Sequence, residues 1–106
     1  MSFHKHIFPI RTILEDPIKI VKGWRMDGTE IGFHKDGRYW VATDLYSGLR
    51  ICKAETRRAC VEWIENHRWE ISDKMQEPWY AQKVCEFRDL LKTEMAKLEA
   101  WEGIFD

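Results

Sequence analysis

Two Asp-Gly dipeptides, Asp27-Gly28 and Asp36-Gly37, constrain this chain more than any other feature. Glycine reaches positive φ at little cost, and Asp-Gly between runs of β-forming residues is a strong hairpin signal. Two such turns nine residues apart predict three antiparallel strands, and each turn sets a register that the side-chain pattern can test. A two-residue loop at Asp27-Gly28 pairs Arg25 with Glu30 and Trp24 with Ile31. One at Asp36-Gly37 pairs His34 with Tyr39 and Phe33 with Trp40. The faces then separate: Trp24, Ile31, Phe33, Trp40 and Ala42 on one, Arg25, Glu30, His34, Tyr39 and Thr43 on the other. Slipping the register by one residue would mix them. Lys22 is the one awkward member of the apolar face, where a lysine must snorkel.

Tyr46-Ser47-Gly48 closes a further turn before a short fourth strand, Leu49 to Cys52. Thr56 suits a helix N-cap. Ala59, Cys60, Trp63, Ile64 and His67 then follow at helical spacing, and residues 66–70 break the pattern. Pro78 fits the first turn of a long last helix. Its stripe runs Tyr80, Val84, Phe87, Leu91, Met95, Leu98 and Trp101 until Gly103. Pro9 and Pro17 mark residues 1–17 as an irregular arm. The expected architecture is therefore α+β: an antiparallel four-stranded meander over residues 18–52, then helices 56–67 and 78–102 packed on one sheet face. It forms a single domain over 18–106.

The 106 residues suffice for one such core. Three cysteines, Cys52, Cys60 and Cys85, have neither disulfide-framework nor metal-clamp spacing. His4 and His6 lack further ligands nearby in sequence. Neither a nucleophile motif nor a glycine-rich phosphate loop is visible, so the expectation is a non-enzymatic protein without metal or cofactor. Cys52, at the end of a strand on the polar face, is the one cysteine placed for reactivity. The start lacks an apolar signal core, and no apolar run nears the ~18 residues of a membrane span. A cytoplasmic location follows.

Charge is unevenly distributed. Residues 1–58 carry eleven Lys and Arg against seven Asp and Glu, and residues 59–106 carry six against eleven. Two candidate surfaces result. Glu62, Glu65, Glu86, Asp89 and Glu94 form an acidic helical face suited to a protein groove built for phosphates. Lys19, Arg25, His34, Tyr39 and Arg50, with Arg57 and Arg58 nearby, form a basic sheet face suited to nucleic acid. The apolar stripe of the last helix, with Trp79, Trp101 and Phe105, offers a third option, a homodimer seam; a monomer remains the alternative state.

The segment Tyr39-Trp40-Val41-Ala42-Thr43-Asp44-Leu45-Tyr46-Ser47-Gly48-Leu49-Arg50-Ile51, followed by Thr56-Arg57-Arg58-Ala59-Cys60, resembles a strand–turn–strand–capped-helix pattern of small phage and mobile-element accessory proteins. That class includes anti-CRISPR proteins. The resemblance implies a protein-binding inhibitor that blocks a host nucleic-acid-targeting Cas nuclease in the bacterial cytoplasm. It assigns no residue a role. A nucleic-acid-binding domain and a helix-mediated homodimeric regulator are the alternatives.

Overall fold

The computed structural model describes residues 2–12 and 16–105, with side chains omitted at 95 and 97–105. Five strands and three helices follow in order: β1 (Phe3–Arg11), β2 (Ile18–Met26), β3 (Ile31–Asp36), β4 (Tyr39–Asp44), β5 (Arg50–Ala54), α1 (Arg57–Asn66), α2 (Arg68–Met75) and α3 (Pro78–Phe105). The class is α+β as expected, with one more strand and one more helix. Most of the expected arm is β1, which pairs with β2 from Phe3↔Met26 to Arg11↔Ile18. Pro9 is tolerated because β1 is an edge strand, where a missing N–H breaks no ladder on the open side. Past α1, His67 interrupts the helix for one residue only, and α2 starts at Arg68. The last helix passes through Gly103 to Phe105. The stripe side chains Met95, Leu98 and Trp101, and that of Phe105, lie outside those described.

The sheet is an antiparallel meander in the order β1-β2-β3-β4-β5. Both hairpins sit two residues from the expected register. Trp24 opposes Phe33 rather than Ile31, and Phe33 opposes Ala42 rather than Trp40. The second loop is Gly37-Arg38 between paired Asp36 and Tyr39, with Gly37 alone taking a positive φ (61°). A positive φ confined to the first loop position is the type II′ pattern, which suits strand twist as well as Asp-Gly would in type I′. Because each shift is even, the side chains of β2, β3 and β4 keep their expected faces.

The apolar face carries the main core. Met26, Phe33 and Ala42 pack with Cys60 and Ile64 of α1. Thr56 caps that helix, its side chain accepting from the Ala59 N–H at 3.0 Å. The other face is not flat. β2 and β3 pair only at Trp24 and Arg25, and at Gly23 the strands come so close that a Cβ would stand 2.1 Å from the Phe33 carbonyl oxygen. Phe8 reaches over Gly32, where a Cβ would lie 2.7 Å from its ring, and meets His34 edge-on at 6.1 Å. At the far end the Arg11 N–H donates to the Gly48 carbonyl at 3.3 Å, and its Nε donates to Ser47 O at 2.6 Å. The first strand thus touches the turn that leads into β5, and the sheet is rolled. Val21, His34, Val41 and Thr43 are buried by that roll.

The helix α3 is seated on the same corner. Arg11 Nη2 donates to Lys83 O at 2.6 Å, and its guanidinium lies 5.4 Å from the Phe87 ring centre. Tyr80 donates to Asp44 Oδ2 at 2.7 Å.

Candidate functional site

The helix α1 covers the sheet only in part, and the uncovered remainder of the apolar face is aromatic and cationic. Phe3, Trp24 and Trp40 come from β1, β2 and β4, with the two indoles 5.2 Å apart and tilted by 49°. Arg57, the first residue of α1, lies over all three rings, its Cζ 4.1 Å from Phe3, 5.6 Å from Trp40 and 6.0 Å from Trp24. The capped start of α1 fixes its place. These residues line a groove of about 780 Å³ with Arg58, Val61, Glu62 and Glu65. A second recess of about 580 Å³ shares Trp24 and adds Lys5, His6, Ile7, Lys22 and Gly23. Lys5 opposes Trp24 across the ladder, and Lys35 Nζ stands 5.6 Å from the Trp40 ring. Five cations therefore surround two half-exposed indoles, against Glu62 and Glu65, the former paired with Arg58 at 3.4 Å. Flat π faces beside cations can stack planar rings and pair with phosphates.

The acidic residues singled out from sequence are divided between helices. Glu62 and Glu65 sit on α1 in this arginine-bearing groove. Glu86 on α3 is engaged by Lys83 at 3.1 Å and Arg11 at 3.8 Å. Asp89 shares a shallow recess with Glu86, Leu90 and Thr93, and Glu94 is half-buried further along α3. The basic residues divide as well. Arg25 is turned into its own hairpin, donating to Thr29 O at 2.8 Å and pairing with Glu30. Tyr39 is flanked by Lys53 at 4.5 Å and Arg38 at 5.1 Å. Lys19, His34 and Arg50 come together in a separate groove of the rolled sheet. His34, expected on an open face, is only 6% exposed because the roll encloses it. Arg57 and Arg58 belong to the opposite, tryptophan-bearing side.

Sequence reasoning assigned Trp24 and Trp40 wholly to the core. The available signal against that was Lys22, a lysine on a face that helices were supposed to cover; Lys5 and Lys35 share that face.

Cys52 also lies on the helix-covered side, opposite Ala42, with its thiol 3.7 Å from Cys60 O. Burial first, then the neighbouring Cys60, pushes its pKa up to about 12. Burial likewise raises Cys60. Near neutral pH the Cys52 thiol therefore stays protonated, which corrects its placement as a reactive thiol. With a maleimide at pH 8, the folded protein should lose one thiol rapidly, the exposed Cys85. The other two should react only on unfolding. Rapid loss of a second thiol, read by intact mass, would contradict the burial.

Among the described residues no group of three or more His, Cys, Asp or Glu side chains is placed to hold a metal ion. Among the described residues no helix is long and apolar enough to cross a membrane. Fold and groove together define a small α+β domain with a cationic, aromatic concave surface. Comparison with protein-family models, curated proteins and solved structures finds no match.

Proposed function

We propose that this chain is a non-catalytic binding protein that holds single-stranded nucleic acid along the Trp24–Trp40–Arg57 groove. The observation that carries this reading is Arg57 poised over three aromatic rings, with Lys5, Lys22 and Arg58 around them and Lys35 over the Trp40 ring. Bases stack on the indoles and the cations take the phosphates. Stacking contributes about 1–3 kcal/mol per base, with little sequence preference, and phosphate contacts make affinity fall with salt.

The test is fluorescence anisotropy with a labelled fifteen-nucleotide oligothymidylate, alongside quenching of intrinsic tryptophan. Binding should be measurable at 50 mM salt and weaken steeply by 200 mM. Trp24→Ala and Arg57→Ala should each weaken it about tenfold. Arg25→Ala, whose guanidinium is held by its own hairpin, should leave it unchanged. Absence of binding at 50 mM salt, or equal loss in all three variants, would defeat the proposal.

A second reading is favoured by a specific observation on the helical side. Trp69 is 82% exposed, and Trp63, Met75 and Trp79 are also exposed. Large apolar side chains of this kind anchor protein interfaces. A cytoplasmic inhibitor that blocks a host nuclease by protein contact, as the resemblance implies, would use this side, and so would a homodimer. Trp69→Glu should then abolish capture of a nuclease-resistant protein partner or dissociate the dimer, while leaving oligonucleotide affinity unaltered.

A further inference from the structure

The rolled sheet holds a second concave region besides the tryptophan groove, with Lys35 bordering both. It measures about 720 Å³, within the range of small-ligand sites. Ile10, Val21, Val41 and Leu49 give it aliphatic walls, and its polar lining includes Lys19, Arg50 and His34, with Lys35 and the single carboxylate Asp36 at the same groove. His34 is buried, and its Nδ1 is a buried side-chain nitrogen without a hydrogen-bond partner among the described residues. Buried polar atoms are nearly always satisfied, and an orphan one calls for an explanation. Lys19 and Arg50 are exposed at the same groove and form no ion pair among the described residues. Arg11, by contrast, is already committed to Ser47 O, Lys83 O and Glu86.

We infer that this groove is a binding site for a small oxyanion carried on an aliphatic body, a monocarboxylate or a phosphate monoester. The planar guanidinium of Arg50 and the Lys19 ammonium take the oxygens, and the aliphatic walls take the chain. His34 completes the site by donating from Nδ1, in its Nδ1–H tautomer or when protonated. The ligand thereby supplies the partner that the ring lacks.

A pH dependence follows. In the free protein, burial lowers the His34 pKa; Asp36 opposes that shift and Lys19 adds to it. The charged groups around the ring are thus Lys19 from β2, Lys35 and Asp36 from β3, Arg50 from β5 and Arg11 from β1. A bound anion favours the imidazolium and raises the pKa. Affinity must then increase as pH falls, by up to tenfold for each unit by which the ligand raises that pKa.

The test is a titration of the full chain with sodium hexanoate, butyl phosphate and inorganic phosphate, followed by the ring resonances of the four histidines. Hexanoate or butyl phosphate should shift the His34 resonance saturably and leave His4 and His67 in place. It should bind at least tenfold more tightly than inorganic phosphate, and more tightly at pH 5.5 than at pH 7.5. Which of the two binds better identifies the headgroup. Arg50→Gln, at an exposed position, should weaken binding at least tenfold, and Arg25→Gln should not change it. No saturable His34 shift with either organic probe would overturn the inference. So would equal binding of bare phosphate, which would mark an adventitious ion only.

Discussion

Replacing Asp44 by alanine should destabilise the protein by about 3 kcal/mol. This carboxylate is 4% exposed and joins two elements distant in sequence. Its Oδ2 accepts from Ser47 Oγ at 2.6 Å, from the Ser47 N–H at 3.2 Å and from Tyr80 Oη at 2.7 Å. Hydrogen bonds to a charged acceptor are worth about 1.5–3 kcal/mol each, and partners left buried without one add a desolvation cost. Tyr80→Phe removes one donor and leaves the turn intact, so about 1–2 kcal/mol is expected for it. Since the two residues share one bond, the double variant should fall short of the sum of the singles. Urea unfolding of the three variants measures this, and an Asp44→Ala cost below about 1 kcal/mol would contradict the buried bridge. The same site carries a signature at high pH. Burial, followed by the bond to Asp44, raises the Tyr80 pKa above its ordinary 10.0. The folded state therefore holds this proton more tightly than the unfolded one. Its contribution to stability is whole below pH 10 and declines as pH rises beyond that. Tyr80→Phe should flatten the decline.

How much of this was legible in the sequence depended on the range of the interaction concerned. The Asp-Gly turns, the period-two pattern and the Thr56 cap are local, and they gave the central strands, their faces and the start of α1. The register missed by two residues at both hairpins because the loops are set by where Gly28 and Gly37 fall within them, and face patterning is blind to even shifts. β1 was missed because Pro9 reads as a strand breaker, while its tolerance depends on which strand becomes the edge. α2 was missed because a single residue, His67, makes the break between helices. The roll of the sheet was out of reach. It rests on contacts such as Arg11 with Gly48 and Phe8 with Gly32, which local pattern does not announce. That roll is why His34 is buried and why Lys19 and Arg50 share a groove.

The candidate sites were legible as residues more than as places. Arg57 and Arg58 were singled out, and they do border a groove, but its aromatic floor had been assigned to the core. The basic and acidic halves of the chain likewise fail to become two opposed surfaces. Glu62 and Glu65 stand among the arginines of α1, and Glu86 is tied to Arg11 of β1. Charge separated along the sequence is partly recombined in space by those pairs, so a contact driven by the acidic residues alone has less field to draw on.

Gly48→Ala should be more damaging than its size suggests, at about 3 kcal/mol or more. Gly48 has a φ of 70°, where an L-residue costs roughly 1–2 kcal/mol. Strain is the smaller part. An added Cβ would stand 2.4–2.7 Å from three atoms of the Phe87 ring. Phe87 is only 1% exposed, and the Arg11 guanidinium covers it, so the ring has little freedom to withdraw. Overpacking at such a place costs about a further 1–3 kcal/mol. Gly28→Ala separates the two causes, since Gly28 has a similar φ of 77° with open space where the Cβ would go. It should cost only the strain, about 1 kcal/mol. Gly48→Ala combined with Phe87→Leu should then recover part of the loss relative to the sum of the two changes, because a smaller side chain yields the space the methyl needs. Thermal or urea unfolding of these variants decides the matter. Equal costs at Gly48 and Gly28 would mean that α3 does not press on the turn. A larger cost at Gly48, relieved at Phe87, would establish that the corner where β1, the 46–48 turn and α3 meet is what holds the sheet rolled.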